Sequence, residues 1–414
     1  MYLLPQRWII LLTLNAVYFF VYFHRISTAV LAPHLMEAFS TSAASLGGMS
    51  SAYFYPYALS QPLVGFLTDR WGARKVVTLF TLIGSTGALL FGFAPTLLSA
   101  SIARGMIGLG AAGVFVPALK VLLPWFGPRA FAQMNVALLA VGNIGAIVAS
   151  TPYAWFIYQV GWRSSFFFIA GITLLLAALS WAFIRDFPPN FAPPPDDQEK
   201  RTMAKGNFSA ILKSPFFWGM GALFFFYGGP FSTFQGLWGY PFLIDVFRYE
   251  KLQASNLLMM IACGAILGGP FLGYLADKPF AKKKWAFLSV LVTLQFTNWC
   301  ALVFWGPSLN TIHLTVIFFI MGMGLSGTLS LVWALIREVS PPEKLGTVMG
   351  LINPAPFLGA AIFQPLTGYM MDRVGKIGGA FPFEAYRQAF SLCLFSVALA
   401  LIVSLILGRK RKLG

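Results

Sequence analysis

Long apolar runs separated by short polar connections divide this chain almost from end to end. A hydrocarbon layer of roughly 30 Å takes about 20 apolar residues per helical crossing, and at that length the runs predict twelve helices. The first six stand at Trp8–Ala32, Leu46–Leu67, Val76–Ala94, Leu97–Leu123, Ala132–Tyr158 and Ser164–Ile184. A polar stretch, Arg185–Lys213, then interrupts the pattern with Pro188-Pro189, Pro193-Pro194-Pro195 and mixed charges, a composition that suits a linker. Six more runs follow at Pro215–Val246, Ser255–Ala276, Trp285–Trp305, Thr311–Ile336, Thr347–Met371 and Ala385–Leu407. The predicted fold class is an all-α membrane protein, with two six-helix bundles (1–184 and 214–414) joined by the cytoplasmic linker 185–213. No small-residue cleavage site follows the first run, which therefore reads as a retained span.

Composition closes off the soluble classes. Of the 414 residues, 58% are hydrophobic and 10% charged, with a mean hydropathy of +0.74; soluble domains carry roughly a quarter charged residues. The net charge of +16 does not call for nucleic acid, because its distribution has another cause. Counting from an internal N-terminus, 20 of the 29 Lys and Arg fall in connections on that side and 6 on the other. That asymmetry is the positive-inside rule, so both termini are expected in the cytoplasm, with a bacterial inner membrane as the expected location. The terminal Arg409-Lys410-Arg411-Lys412 is expected to face anionic headgroups of the lipid bilayer. Cys263, Cys300 and Cys393 lie far apart within apolar runs, which suits packing, and no spacing suggests a metal. Neither a resident cofactor nor an enzymatic site is expected, since no nucleophile–base pair falls within the spans. The chain is expected to act as a monomer.

The connection Gly65-Phe66-Leu67-Thr68-Asp69-Arg70-Trp71-Gly72-Ala73-Arg74-Lys75 packs an acid, three bases and two glycines between two spans. It resembles the loop that marks the major facilitator superfamily of secondary transporters, G-x-x-x-D-R-x-G-x-R-(K/R), and meets every constrained position. The resemblance implies two six-helix halves and alternating access. It also implies a gating role for Gly65, Asp69, Arg70, Gly72 and Arg74. Asp69 is expected to accept from the N-terminus of a helix in the neighbouring half, and Arg70 and Arg74 to pair with acids or helix C-termini. A fainter echo, Gly273-Tyr274-Leu275-Ala276-Asp277-Lys278, puts Asp277 in the same role in the second half. The halves also repeat at an offset of 214: Gly108 matches Gly322, Gly110 Gly324, Gly113 Gly327, Pro128 Pro342, Gly145 Gly359 and Gly161 Gly375.

Charges within spans are costly and point to function. None of the 13 acids falls at mid-membrane in this assignment, whereas Arg25, Arg104 and Lys120 lie inside spans. An electropositive cavity and an anionic substrate are therefore expected. Tyr18, Tyr22 and Arg25 share one helical stripe, and a guanidinium fork suits a carboxylate or phosphate. This segment resembles the first span of the superfamily's anion:cation symporters, where an acid precedes the Arg; here that position is His24, a candidate to titrate in its place as the coupling site for protons, with a neutral, hydrogen-bonded histidine as the alternative. Lys120, five residues before Trp125-Phe126, resembles a substrate-contacting base of those symporters and of organophosphate antiporters. Arg104-Gly105-Met106-Ile107-Gly108-Leu109-Gly110 resembles the fourth-span motif R-x-x-x-G-x-G, whose Arg the family associates with coupling and packing.

In the second half, Tyr227-Gly228-Gly229-Pro230 predicts a helix broken near the midplane, which makes Tyr227 and Gln235 candidate substrate contacts. Asn143 and Asn353 are further polar candidates within spans. The expected function is uptake of a small organic anion, a carboxylate or sugar acid, by proton-coupled symport. Organophosphate exchange is the alternative. Drug efflux is disfavoured, because the fifth span reads Gly142-Asn143-Ile144-Gly145 rather than G-P-x-x-G-G; a transporter-like anion sensor is disfavoured because no signalling domain is evident.

Overall fold

The computed structural model describes residues 5–189, 211–340 and 348–410. The interior of the expected linker, Pro342 and the terminal Arg411-Lys412 lie outside the described residues. One isolated bridge pair, Ile377 with Ala380, is the exception to a helical chain among these residues. The chain forms two compact units. One holds the described residues through Thr41 and from Gly48 to the end of the first half; the other holds Ser42–Gly47 and the described residues of the second half.

In the first half the helices are α1 (Gln6–Ala38), α2 (Ala43–Ser51), α3 (Phe54–Leu59), α4 (Gln61–Trp71), α5 (Ala73–Phe93), α6 (Leu97–Ala112), α7 (Phe115–Val148), α8 (Thr151–Val160) and α9 (Trp162–Phe183). In the second half they are α10 (Pro215–Thr233), α11 (Gly239–Phe247), α12 (Lys251–Asp277), α13 (Lys284–Trp305), α14 (Thr311–Val339), α15 (Ala355–Val374) and α16 (Phe383–Lys410).

Among the described residues, eight helices are individually long and apolar enough to cross a membrane. A pair bent by 43°, Gln133–Val148 with Thr151–Val160, makes a ninth. Two more of the expected runs are broken into shorter helices. The run at Leu46–Leu67 becomes α2, α3 and α4, interrupted around Pro56 and Pro62. The seventh run becomes α10 and α11 with a π-helical stretch, Phe234–Trp238, between them.

The expected break at Pro230 is displaced. Pro230 lies inside α10, and its missing N–H would orphan the carbonyl one turn back. The Ser396 hydroxyl donates to that carbonyl, Phe226 O, at 2.8 Å. The helix therefore continues and loosens four residues later, at the π-helical stretch that carries Gln235.

The glycine repeat is the packing code of both units. A Cβ on Gly108 would stand 2.0 Å from Tyr53 O, and one on its counterpart Gly322 1.9 Å from Ile261 O. Likewise Gly145 meets Phe19 O of α1 at 2.2 Å, and Gly359 meets Phe225 O of α10 at 2.7 Å. Each unit thus brings matching helices into backbone contact at matching glycines, which small residues alone permit. Gly161 and Gly375 end α8 and α15 with φ of +79° and +82°, where a side chain would be strained.

Candidate functional site

The first unit gathers four tyrosines around Arg25. Tyr18, Tyr22 and Arg25 project from α1 on the stripe that their spacing predicts. The Arg25 guanidinium carbon lies 4.7 Å from the Tyr22 ring centre and 5.5 Å from that of Tyr57. Arg25 also hydrogen-bonds the Tyr53 and Tyr57 hydroxyls. Tyr53 and Tyr57 stack with ring centres 6.0 Å apart, while Tyr18 packs edge-on to Tyr22 at 5.3 Å and stacks on Phe115 at 5.5 Å. Tyr18, Tyr53 and Tyr57 are buried; Arg25 and Tyr22 are half-buried. On α7, a Cβ at Gly142 would come within 2.9 Å of Tyr22 and 3.0 Å of Tyr18, so the bare backbone of α7 forms one wall of the ring cluster. Asn143 follows Gly142, but its side-chain amide donates to Leu139 O of its own helix at 3.0 Å. Aromatic faces and hydroxyls leave the guanidinium cationic and oriented, an arrangement fit to hold an anionic group.

Tyr53 and Tyr57 were not among the residues expected here. The signal was present: Tyr53-x-x-x-Tyr57 repeats the i, i+4 spacing of Tyr18-x-x-x-Tyr22, which puts each pair on one face of a helix.

Arg104 is a brace. Only 1% exposed, it donates to the backbone carbonyl of His24 at 2.6 Å and lies 4.9 Å from the Tyr53 ring centre. Tyr53 in turn donates to Val21 O at 3.3 Å. Arg104 therefore locks α6 to α1 and to the connection before α3, directly behind the tyrosine cluster. His24 is buried, its Nδ1 has no hydrogen-bond partner among the described residues, and its ring sits among Phe20, Phe23 and Phe166. With Thr81, Ser85 and Thr173 it lines a cavity of about 30 Å³, room for a single water.

Lys120 corrects the expectation of deep cations without carboxylates. Its ammonium pairs with Asp69 at 2.5 Å and donates to Thr68 O at 3.1 Å. The flexible stem carries the charge toward α4, and both side chains are substantially exposed, 42% for Lys120 and 64% for Asp69. Within its own unit, the Asp69 carboxylate thus meets the Lys120 ammonium.

The rest of the loop is held locally. The Arg74 Nε donates to Trp181 O at 2.8 Å in the last turn of α9, as its expected helix C-terminal partner, and its guanidinium stacks 4.2 Å above the Trp181 ring. The Arg74 backbone N–H donates to Asp186 at 3.0 Å. Gly72 turns with φ of +86°, and a Cβ there would strike the Asp186 carboxylate. Gly65 faces open space and Arg70 is exposed. In the second unit Asp277 lies 3.9 Å from Lys284, which also pairs with Glu338.

Tyr227, Gln235 and Asn353 belong to the second unit. Tyr227 is buried; Gln235 and Asn353 are half-buried. The glycines after Tyr227 pack on Pro356 and Gly359, so α10 runs directly against the start of α15, just beyond Asn353.

The model of the Major Facilitator Superfamily matches residues 14–355. Among curated proteins, the chain is 26% identical to a hexuronate transporter of Bacillus subtilis, covering 94% of this chain and 92% of that one. It is 23% identical to a probable sulfoacetate transporter of Cupriavidus necator, covering 90% and 89%. Among solved structures, a bacterial homologue of the human lysosomal transporter Spinster, inward-facing and unoccupied, superposes with a TM-score of 0.80 at 20% identity, covering 99% of this chain and 98% of that one.

Proposed function

The chain belongs to the Major Facilitator Superfamily, a family of membrane transporters, and from that premise we propose that it moves a small organic anion by alternating access, coupled to protons. The observation that carries this reading is the Arg25 cluster: a guanidinium held by tyrosine faces and hydroxyls within the first unit. A carboxylate or sulfonate fits such a fork through two charge-assisted hydrogen bonds, with the phenols as further donors. Two of this chain's relatives are a hexuronate transporter and a probable sulfoacetate transporter, whose named substrates are small organic anions of this kind. In this reading Tyr18, Tyr22, Tyr53 and Tyr57 orient the anion, with Asn143 of the same unit a candidate for its remainder; Tyr227, Gln235 and Asn353 are proposed substrate contacts of the second unit. Lys120 is left to the Asp69 pair.

Protons are the proposed coupling ion and His24 their proposed site, since its buried Nδ1, without a hydrogen-bond partner among the described residues, stands one residue from Arg25. Both termini are proposed to be cytoplasmic, in keeping with the basic bias of the connections, and the transporter to be monomeric. A thermal-shift screen of the purified protein tests the substrate class. Hexuronates, sulfoacetate or other small carboxylates are expected to raise Tm, whereas stabilisation by neutral sugars or organic cations alone would refute the proposal.

A further inference from the structure

The loop pattern at Gly65–Gly72 recurs at the far end of α15. Gly368, Asp372, Arg373 and Gly375 stand at an offset of 303 from Gly65, Asp69, Arg70 and Gly72. The closing glycines share their conformation, with φ of +82° and +86°. The basic tail does not recur, Ile377-Gly378 standing in place of Arg74-Lys75. The repeated part is therefore the geometric core of the motif, with Arg373 and Lys376 as its bases and no Arg-Lys tail.

At this second copy the aspartate holds a helix start. The backbone N–H of Ala43 donates to one Asp372 oxygen at 2.8 Å, and that of Ala44 to the other at 2.7 Å. These are first-turn amides of α2, which have no partner within their own helix, and the carboxylate also complements the helix dipole. Two glycines allow the segment to seat. A Cβ on Gly368 would stand 2.3 Å from Ala43 O, and one on Gly47 2.4 Å from Gln364 O. Ser42–Gly47 accordingly packs with the second unit, although Thr41 and Gly48 on either side of it belong to the first. Against this seating stands Gln364. It is fully buried, and neither its amide nitrogen nor its oxygen has a hydrogen-bond partner among the described residues, a cost that water would relieve.

We propose that Asp372 is the catch of a releasable clasp. The start of α2 docks on α15 through the paired carboxylate–amide bonds and the two glycine contacts, and it detaches during the transport cycle. Release wets the Gln364 amide, which offsets the loss of the Asp372 bonds. The two arrangements are thereby kept close in free energy, as a reversible closure requires. The clasp does not depend on which cargo is carried.

Hydrogen exchange read by mass spectrometry on the full chain in lipid nanodiscs tests the clasp, with no ligand required. In Asp372→Asn, amides at the start of α2 are expected to exchange at least tenfold faster than in the unaltered protein. Peptides from α5 and α12 should be unchanged, which reports an intact fold, and Arg373→Gln should leave the α2 amides as they were. Gly368→Ala, which keeps the carboxylate but fouls the seat, is expected to accelerate the same amides and decides the matter if Asp372→Asn does not fold. Unchanged exchange at the start of α2 in a folded variant would overturn the proposal.

Discussion

Replacing Arg25 separates a charge-recognising site from a merely aromatic pocket. A hydrogen bond to a charged group contributes about 1.5–3 kcal/mol, and the residual tyrosines and water recover part of what is lost. For Arg25→Gln the expected net loss of anion binding is about 3 kcal/mol, or roughly 150-fold in Kd. Arg25→Lys keeps the charge but loses the fork, the Tyr22 ring contact at 4.7 Å and the Tyr57 contact at 5.5 Å. Its expected loss is about 1.5 kcal/mol, roughly tenfold. Tyr57→Phe removes a hydroxyl that positions the guanidinium and is expected to cost about fivefold, near 1 kcal/mol. The assay is isothermal titration of each purified variant with the anion that most stabilises the unaltered protein, after gel filtration establishes a monodisperse fold. An Arg25→Gln variant that binds that anion within threefold of the unaltered protein would refute the assignment.

Other perturbations probe separate parts of the account. Gly108→Ala and Gly322→Ala place a methyl about 2 Å from a backbone oxygen; each is expected to lower Tm sharply, whereas Gly171→Ala and Gly221→Ala, which face open space, should change it by little beyond a degree or two. Lys120→Met breaks an exposed ion pair, worth no more than about 1 kcal/mol, and should leave anion Kd within twofold while altering uptake rates through the Asp69 loop. His24→Asn is expected to abolish uptake driven by a proton gradient in vesicles while sparing counterflow of labelled substrate; loss of both together would remove His24 from coupling. Ser396→Ala strips the partner from the Phe226 carbonyl and should cost about 1–2 kcal/mol, seen as a lower Tm.

Much of this architecture is legible in the sequence because two physical rules act on it without exception. Hydrocarbon demands apolar runs of fixed length, and close helix crossings demand glycine; the offset matches Gly108/Gly322 and Gly145/Gly359 record the second rule, while Gly161/Gly375 record a shared turn. The Tyr18–Tyr22–Arg25 stripe is legible for the same reason, being local and helical. Lys120 misled because its long stem places the ammonium about as far from its backbone as the uncertainty in any span boundary. Tyr53 and Tyr57 escaped because the aromatic run around them includes Tyr55, 41% exposed, and composition does not separate a core face from a lipid face. The catch at Asp372 escaped because its partners are backbone amides, which carry no sequence signature.

The central claim, that the Arg25 cluster serves transport of a small organic anion, is tested most directly by counterflow in proteoliposomes. Vesicles loaded with an unlabelled hexuronate or sulfoacetate should transiently accumulate the labelled compound, and vesicles carrying Arg25→Gln should not. Accumulation of neutral or cationic solutes alone, or binding of the anion without any counterflow, would contradict it.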